Sequence, residues 1–338
     1  MIDAGAVRGS TEAMGPARPD STRRPGEWIG RYARRHLRSA PRQELDYFVL
    51  THFHGDHMGD VTADSPRSPD GTYKLSGVSD VAELLPIHHL IDRGYPDYHY
   101  PTASTYDGTL NYIRFARSIA KRGTRAEKLQ VGSSRQIEAA AVTIRNLAAN
   151  GEVWTGVADA TRQMFPPSSD PHENACSIAL RLSYGAFSYY IGGDLTCDTA
   201  FGTAPWLDVE TAVAKAAGPV SVSAVNHHGY FDATGPDFVR HMRSRIYILQ
   251  TWHASHPALS VLDRLYSPIL YSGDRYVLAT GLVSAAALAD DRFSSRMLSQ
   301  QGHIVVRVSE GGKRYEVLVL DDTREQGELK ARFGPYES

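Results

Sequence analysis

Short apolar runs alternate with amphipathic stretches along the chain. Leu45-Asp46-Tyr47-Phe48-Val49-Leu50 is rich in residues that suit a pleated backbone and is long enough for one buried strand. Before it, residues 27–38 place Trp28, Ile29, Tyr32, His36 and Leu37 on one stripe with arginines elsewhere, which predicts an amphipathic helix with His36 on its face. Residues 110–122 predict a second helix, with Leu110, Ile113, Ala116 and Ala120 in register and Gly123 as its stop. Strand-like spacing recurs at 136–146 and 151–157. Alternation over 177–184, a turn at Gly185 and a return over 186–191 predict a hairpin. A helix over 208–217 capped by Asp208, a strand over 220–225, a short helix opened by Pro236, a strand over 245–251 and a helix carrying Leu259, Leu262 and Leu265 follow. Residues 303–308 and 315–320 flank Glu310-Gly311-Gly312-Lys313 as a closing hairpin.

Strands therefore recur in both halves with helices between them and no internal repeat. This predicts one α/β (α+β) domain over 1–322, with two sheets and outer helices. Residues 8–26 and 61–109 read as irregular, the second as an insertion long enough to overhang a site. Residues 323–338 read as a polar, frayed tail. Met1-Ile2-Asp3-Ala4-Gly5 reads as the end of a strand and its turn with nothing before it. One or two first strands, and any secretion signal with them, are expected to be missing; as the chain stands it reads as cytoplasmic.

Composition changes this picture little. The 338 residues are 42% hydrophobic and 22% charged with net charge −2, which excludes disorder and advertises no global basic surface for nucleic acid, though a local patch remains open. No apolar run approaches the roughly 20 residues that span a bilayer. Cys176 and Cys197 are too few for a disulfide framework.

The chemistry is concentrated in turns at strand ends. Thr51-His52-Phe53-His54-Gly55-Asp56-His57 offers four metal-ligand side chains within six residues. In an extended segment His52 and His54 point to one side, because strand side chains alternate. Asp56 and His57 follow in the turn, giving two ligand pairs aimed at two neighbouring points. Imidazole and carboxylate suit zinc, manganese or iron(II). Gly192-Gly193-Asp194 closes the hairpin, where two glycines allow close approach to an ion. Asn226-His227-His228-Gly229 is a further ligand-bearing turn. Asp46 is a candidate to orient a ligand imidazole, and Asp3 reads as structural. Tyr95, Tyr98 and Tyr100 are candidates for a substrate wall or for packing of the insertion; His88 and His89 read as structural.

The His-x-His-x-Asp-His run after an apolar strand and a threonine resembles the signature of the metallo-β-lactamase superfamily. Asn-x-x-Ser-x-x-Leu-x-Leu-x-Tyr-Gly, Gly-Asp-Leu, His-His-Gly and the later His-Pro are similar to one branch of it. That branch contains the hydrolase domain of competence-type DNA-uptake proteins and secreted bacterial phosphodiesterases. The resemblance implies a four-layer αββα sandwich and two divalent ions, Zn2+ first, with Mn2+ or Fe2+ as alternatives. It implies His52 and His54 on one ion, Asp56 and His57 on the other, and Asp194 bridging both. One of His227 and His228 is implied as a ligand, with the other donating to substrate. The remaining slot falls to His172 first, with Asn174 open; Asn174, His256, Tyr95 and Tyr98 are the substrate-side candidates.

The expected activity is hydrolysis of a phosphodiester-type substrate, small or nucleic acid, by a metal-bound hydroxide, with Asp56 or Asp194 taking up a proton. A lactone, lactam or ester hydrolase of the same superfamily and a catalytically inactive binding scaffold are the alternatives. A flavodiiron-type redox site is disfavoured because no flavin domain is visible.

Overall fold

The computed structural model describes residues 1–7, 11–289 and 291–338. The chain is mixed α/β and forms two compact units. Met1–Ser10 and Ala17–Leu129 make unit 1; Thr11–Pro16 and Gln130–Ser338 make unit 2. Of the stretch expected to be irregular over 8–26, residues 8–10 lie outside the described residues, and 11–24 run as turns and bends before the first helix.

Unit 1 opens with α1 (Pro25–His36), which has proline in its first turn and Glu27 accepting a hydrogen bond from the Arg24 backbone N–H at 2.9 Å. Next come β1 (Leu45–Val49), the single turn α2 (Gly55–Met58), α3 (Val78–Leu84), β2 (Ile87–Asp92), α4 (Asp107–Lys121) and β3 (Arg125–Lys128). The strands form a parallel sheet in the order β1-β2-β3, with Tyr47 opposite His89 and His89 opposite Arg125. Phe48, Leu50, Val81, Leu85, Leu90, Phe115 and Ala116 are its core, each at most 1% exposed. Residues 1–6 run beside β1: Ile2 pairs with Val49, and Ala4 and Ala6 donate their N–H groups to the carbonyls of His57 and Gly55 at 2.9 Å. The segment 61–109 is not irregular throughout, for it contains α3 and β2. Ile87-His88-His89-Leu90-Ile91-Asp92 escapes a periodicity reading because its two histidines interrupt the apolar pattern. His88 bonds Glu44, and His89 stacks on Tyr47 with ring centroids 4.7 Å apart.

Unit 2 contains β4 (Glu138–Ala139), β5 (Val142–Ala149), β6 (Glu152–Trp154), β7 (Thr161–Gln163), β8 (Ala179–Tyr184), β9 (Phe187–Ile191), α5 (Val209–Ala217), β10 (Val222–Ala224), α6 (Pro236–Met242), β11 (Ile246–Leu249), α7 (Leu259–Tyr266) and β12 (Tyr276–Ala279). Its large sheet runs β12-β11-β10-β9-β8-β5-β6-β7, with β4 pairing β5. β9 to β12 are mutually parallel and the rest antiparallel. In β11, Tyr247 and Leu249 enter the core that also holds residues of α5, α6 and α7. Ile246 and Ile248 enter a second core on the other face. A strand buried on both faces reads as a continuous apolar run, as this one does.

The second core is closed by an antiparallel sheet of β13 (His303–Val308), β14 (Arg314–Leu320) and β15 (Leu329–Glu337), in that order. The closing hairpin is therefore present, but β14 is a central strand. Residues 323–338 are not simply a frayed tail: β15 pairs along β14, packs Ala331, Phe333 and Tyr336 on the core, and sets the Arg332 guanidinium against Glu316. Lys330, Arg332 and Glu337 made it read as polar, but alternation lets half its side chains face solvent. The strap 11–16 lies in unit 2. Met14 pairs with His253, the Gly15 N–H reaches the Trp252 carbonyl at 2.8 Å, and the Ala254 N–H reaches the Ala13 carbonyl at 2.7 Å. Among the described residues no helix is long and apolar enough to cross a membrane.

Candidate metal centre

In unit 1 the turn after β1 sits at the carboxyl end of a parallel strand, the usual edge for ligands in such sheets. Asp3 organises it. Its Oδ1 accepts the Thr51 N–H at 2.8 Å, and its Oδ2 accepts both the Thr51 hydroxyl and His57 Nδ1–H at 2.8 Å. Thr51 has one hydroxyl hydrogen and gives it to Asp3, so at its 3.1 Å contact with His52 Nδ1 it accepts. Both imidazoles are thus fixed with the proton on Nδ1 and a lone pair on Nε2. His52 Nε2 lies 3.1 Å from His54 Nδ1, and His57 Nε2 lies 3.8 Å from Asp56 Oδ2. Close approach of residues 4–6 makes this possible, since a side chain at Gly5 would run into the Asp56 backbone. The orienting role expected of Asp46 falls to Asp3 instead. The Asp46 side chain is 76% exposed and faces Arg42, because its strand position points away from the core.

In unit 2 three adjacent parallel strands end in candidate turns: β9 in Gly192–Asp194, β10 in Asn226–Gly229 and β11 in residues 252–256. Asp194 is 2% exposed, and its N–H bonds Ser177 Oγ at 3.2 Å. A side chain on Gly192 would collide with the Tyr190 hydroxyl and Asn226 Oδ1. His227 and His228 both have left-handed backbones, φ 47° and 55°. Their outer nitrogens have different partners. His228 Nδ1–H donates to the Gln250 carbonyl at 2.7 Å, and a carbonyl only accepts, so His228 Nε2 carries a lone pair, 3.6 Å from Asp194 Oδ2. His227 Nδ1 is bonded to the Asp232 carboxylate at 2.7 Å, and its Nε2 lies 3.9 Å from Asp194 Oδ2 and 3.2 Å from Asn174 Nδ2.

The two candidates for the remaining slot part here. His172 is exposed and caps the following short helix, Nδ1 accepting from the Ala175 N–H at 3.3 Å. Asn174 stands against His227, and its Oδ1 is buried with no hydrogen-bond partner. His256 stacks on His228 at 5.1 Å with Nδ1 buried and unbonded. Burial first, then the charges of His228, His227 and His253, push its pKa down to about 3, so it is neutral at ordinary pH.

Tyr98 departs from its expected role. It is 5% exposed, and its hydroxyl and that of Tyr112 both donate to the buried Asp92 at 2.8 Å. Burial, then the Asp92 charge, pushes both phenols far above their usual range, so both stay protonated. Tyr95 packs edge-on against Tyr98, 6.1 Å between centroids. The tyrosines hold the turn after β2 and make no substrate wall of Tyr98.

Sequence reading missed three residues that matter: Asp3 as orienter, Asp232, and Glu210. Glu210 is fully buried in α5. It accepts from Asn226 Nδ2 at 2.8 Å and from the backbone N–H groups of Thr234 and Gly235 at 2.6 and 2.7 Å, pinning both ends of the His227-His228 loop. A carboxylate five residues after a histidine turn was the one available signal for Asp232.

Within unit 1, the pairs His52/His54 and Asp56/His57, and within unit 2 the pair Asp194/His228, bring ligand atoms within 4.8 Å of each other. Imidazole nitrogens with oriented lone pairs beside carboxylates form the donor set that divalent zinc, manganese or iron takes. Comparison with models of known families and with curated proteins gives no match for this chain.

Proposed function

We propose that this protein is a metal-dependent hydrolase of the metallo-β-lactamase type, with the four-layer αββα sandwich of that superfamily, acting on a phosphodiester-type substrate. The observation that carries the reading is the fixing of tautomers. His57, His52 and His228 each have Nδ1 tied to an acceptor, which leaves Nε2 lone pairs for ligation. Histidines that merely pack do not need two separate devices, Asp3 with Thr51 and the Gln250 carbonyl, with the same outcome. Within unit 1 His52, His54, Asp56 and His57 would serve as donors to divalent metal ions, and within unit 2 Asp194 and His228 would do the same.

When bound, two such ions would supply Lewis acidity and a nucleophile available at neutral pH. The chain's own groups do the rest. Asp194 presents a carboxylate whose backbone is fixed by Ser177. His227, held by Asp232 as Nδ1–H and facing the Asn174 amide with Nε2, offers Nε2 as the site that takes up a proton and then delivers it to the leaving oxygen. Asn174, beside it, orients the substrate, and neutral His256 borders His228 on the other side. In this reading His228, with Nδ1 on the Gln250 carbonyl, serves as the ligand and His227 as the proton carrier. The phosphodiester preference is supported by the Asn-x-x-Ser and His-His-Gly resemblance, in which Asn174 and Ser177 now have distinct tasks.

The test is elemental analysis of the purified chain with turnover of bis(p-nitrophenyl) phosphate, a lactone and a β-lactam side by side. The reading expects close to two divalent ions per chain, phosphodiester turnover above the others, and loss of both metal and turnover in Asp194→Ala. Faster lactone or lactam turnover would move the substrate class, and a chain that takes up no metal would make it a scaffold.

A further inference from the structure

Unit 1 holds a second polar feature built from residues that the ligand turn does not use. A cleft of about 460 Å³ is lined by Arg67, Lys74 and Arg114 with Asp107 as the one carboxylate, three cations against one anion. Arg67 and Lys74 face one another as an antiparallel bridge. Like charges directly opposite across a strand pair are destabilising. Here the pair is held in place. The Asn111 side chain, 7% exposed, clamps the Lys74 backbone from both sides, accepting its N–H at 2.8 Å and donating to its carbonyl at 2.9 Å. The Lys74 ammonium is itself anchored on the carbonyls of Thr62 and Ala63 at 2.7 and 3.1 Å. An ammonium has three donors, so one remains, and among the described residues its charge is met by carbonyl dipoles.

The nearest acid in the same hairpin does not neutralise the group. Asp70 is bonded by Ser68, Thr72 and Ser118 and pairs with Arg122 at 2.9 Å. These bonds, the Thr72 hydroxyl first and Ser68 next, hold its carboxyl well below the usual range. Arg114, exposed on α4, adds the third cation from another element. Three cations from a hairpin and a helix, with a buried amide devoted to positioning one of them, form an anion receptor rather than a solvated face.

We propose that this cleft binds a small polyanion of the phosphate class. This anion site does not rest on the hydrolase reading above.

The probe is inorganic pyrophosphate, titrated calorimetrically into the full chain as purified, into Lys74→Gln/Arg114→Gln and into Asp194→Ala. Thermal midpoints check that substituting half-buried Lys74 and exposed Arg114 leaves the fold intact. The double variant is expected to bind pyrophosphate about tenfold or more weakly, the effect of losing charge-assisted hydrogen bonds, while Asp194→Ala retains the parent affinity. Arg67→Gln, a second single variant, is expected to weaken binding in the same direction. Parent-like affinity in the double variant, or binding abolished by Asp194→Ala alone, would overturn the proposal. A chain without metal or turnover whose pyrophosphate binding still depends on Lys74 and Arg114 would sink the hydrolase reading and leave the cleft standing.

Discussion

Asp3 shows what single residues contribute. It accepts three hydrogen bonds and thereby sets two imidazoles, one directly and one through Thr51. Asp3→Asn keeps the size but offers one acceptor oxygen instead of two. Metal affinity is expected to fall about 10- to 100-fold, as for other carboxylates that orient ligand histidines, measured by competition with a chromogenic chelator; unchanged affinity would show the orientation to be unimportant. Glu210 belongs to the same scale. Burial raises its carboxyl from 4.5 to about 7, against the pull of three N–H donors. The folded chain therefore keeps a proton that the unfolded chain releases. The stabilisation is full below pH 4.5 and is lost as pH rises through about 7, a change of about 3 kcal/mol. Urea unfolding from pH 5 to 8 should show this slope in the parent chain and not in Glu210→Gln. The ligand turns were legible in the sequence because histidine and aspartate at strand ends are conspicuous and local. Asp3, 54 positions from His57, was not, since a lone carboxylate carries no mark of a distant partner.

Elements were legible where one rule governed them. Two-sided burial makes β11 an unbroken apolar run, and capping and stripe place α1, α4, α5 and α7 to within a few residues. Reading failed where rules competed. β2 carries two adjacent histidines that bond and stack on β1 neighbours, and β15 leaves half its side chains in water. Yet β15 matters. Tyr315 on β14 is 1% exposed, with its ring 5.3 Å from Phe187 of the large sheet and 5.5 Å from Tyr336 of β15. Tyr315→Ala should cost about 3–5 kcal/mol, the range for a buried aromatic, read as a shift in denaturation midpoint. A loss below about 1 kcal/mol would mean that the small sheet is not integral to unit 2.

For the whole molecule, bound metal is expected to act as a folding ligand. At an ion concentration about a hundredfold above its dissociation constant, binding adds about 2.7 kcal/mol. Chelation should therefore lower the unfolding temperature by several degrees, and Asp194→Ala should be insensitive to chelator. A chelator-independent midpoint in the parent chain would contradict the donor set. The net charge of −2 concealed the cationic cleft, because a balance summed over 338 residues says nothing about three of them gathered by a hairpin and a helix.

The chain does not finish one unit before starting the other. Residues 11–16 leave unit 1, lie along residues 252–254 in unit 2, and return. No single cut can therefore separate the units intact. A break after Leu129 hands unit 1 a peptide that is not its own and strips unit 2 of the segment bridged to its histidine-bearing loop. Gene fusions, split-protein reporters and domain shuffling, which assume that a boundary in space is a boundary in sequence, would have to carry that hexapeptide across.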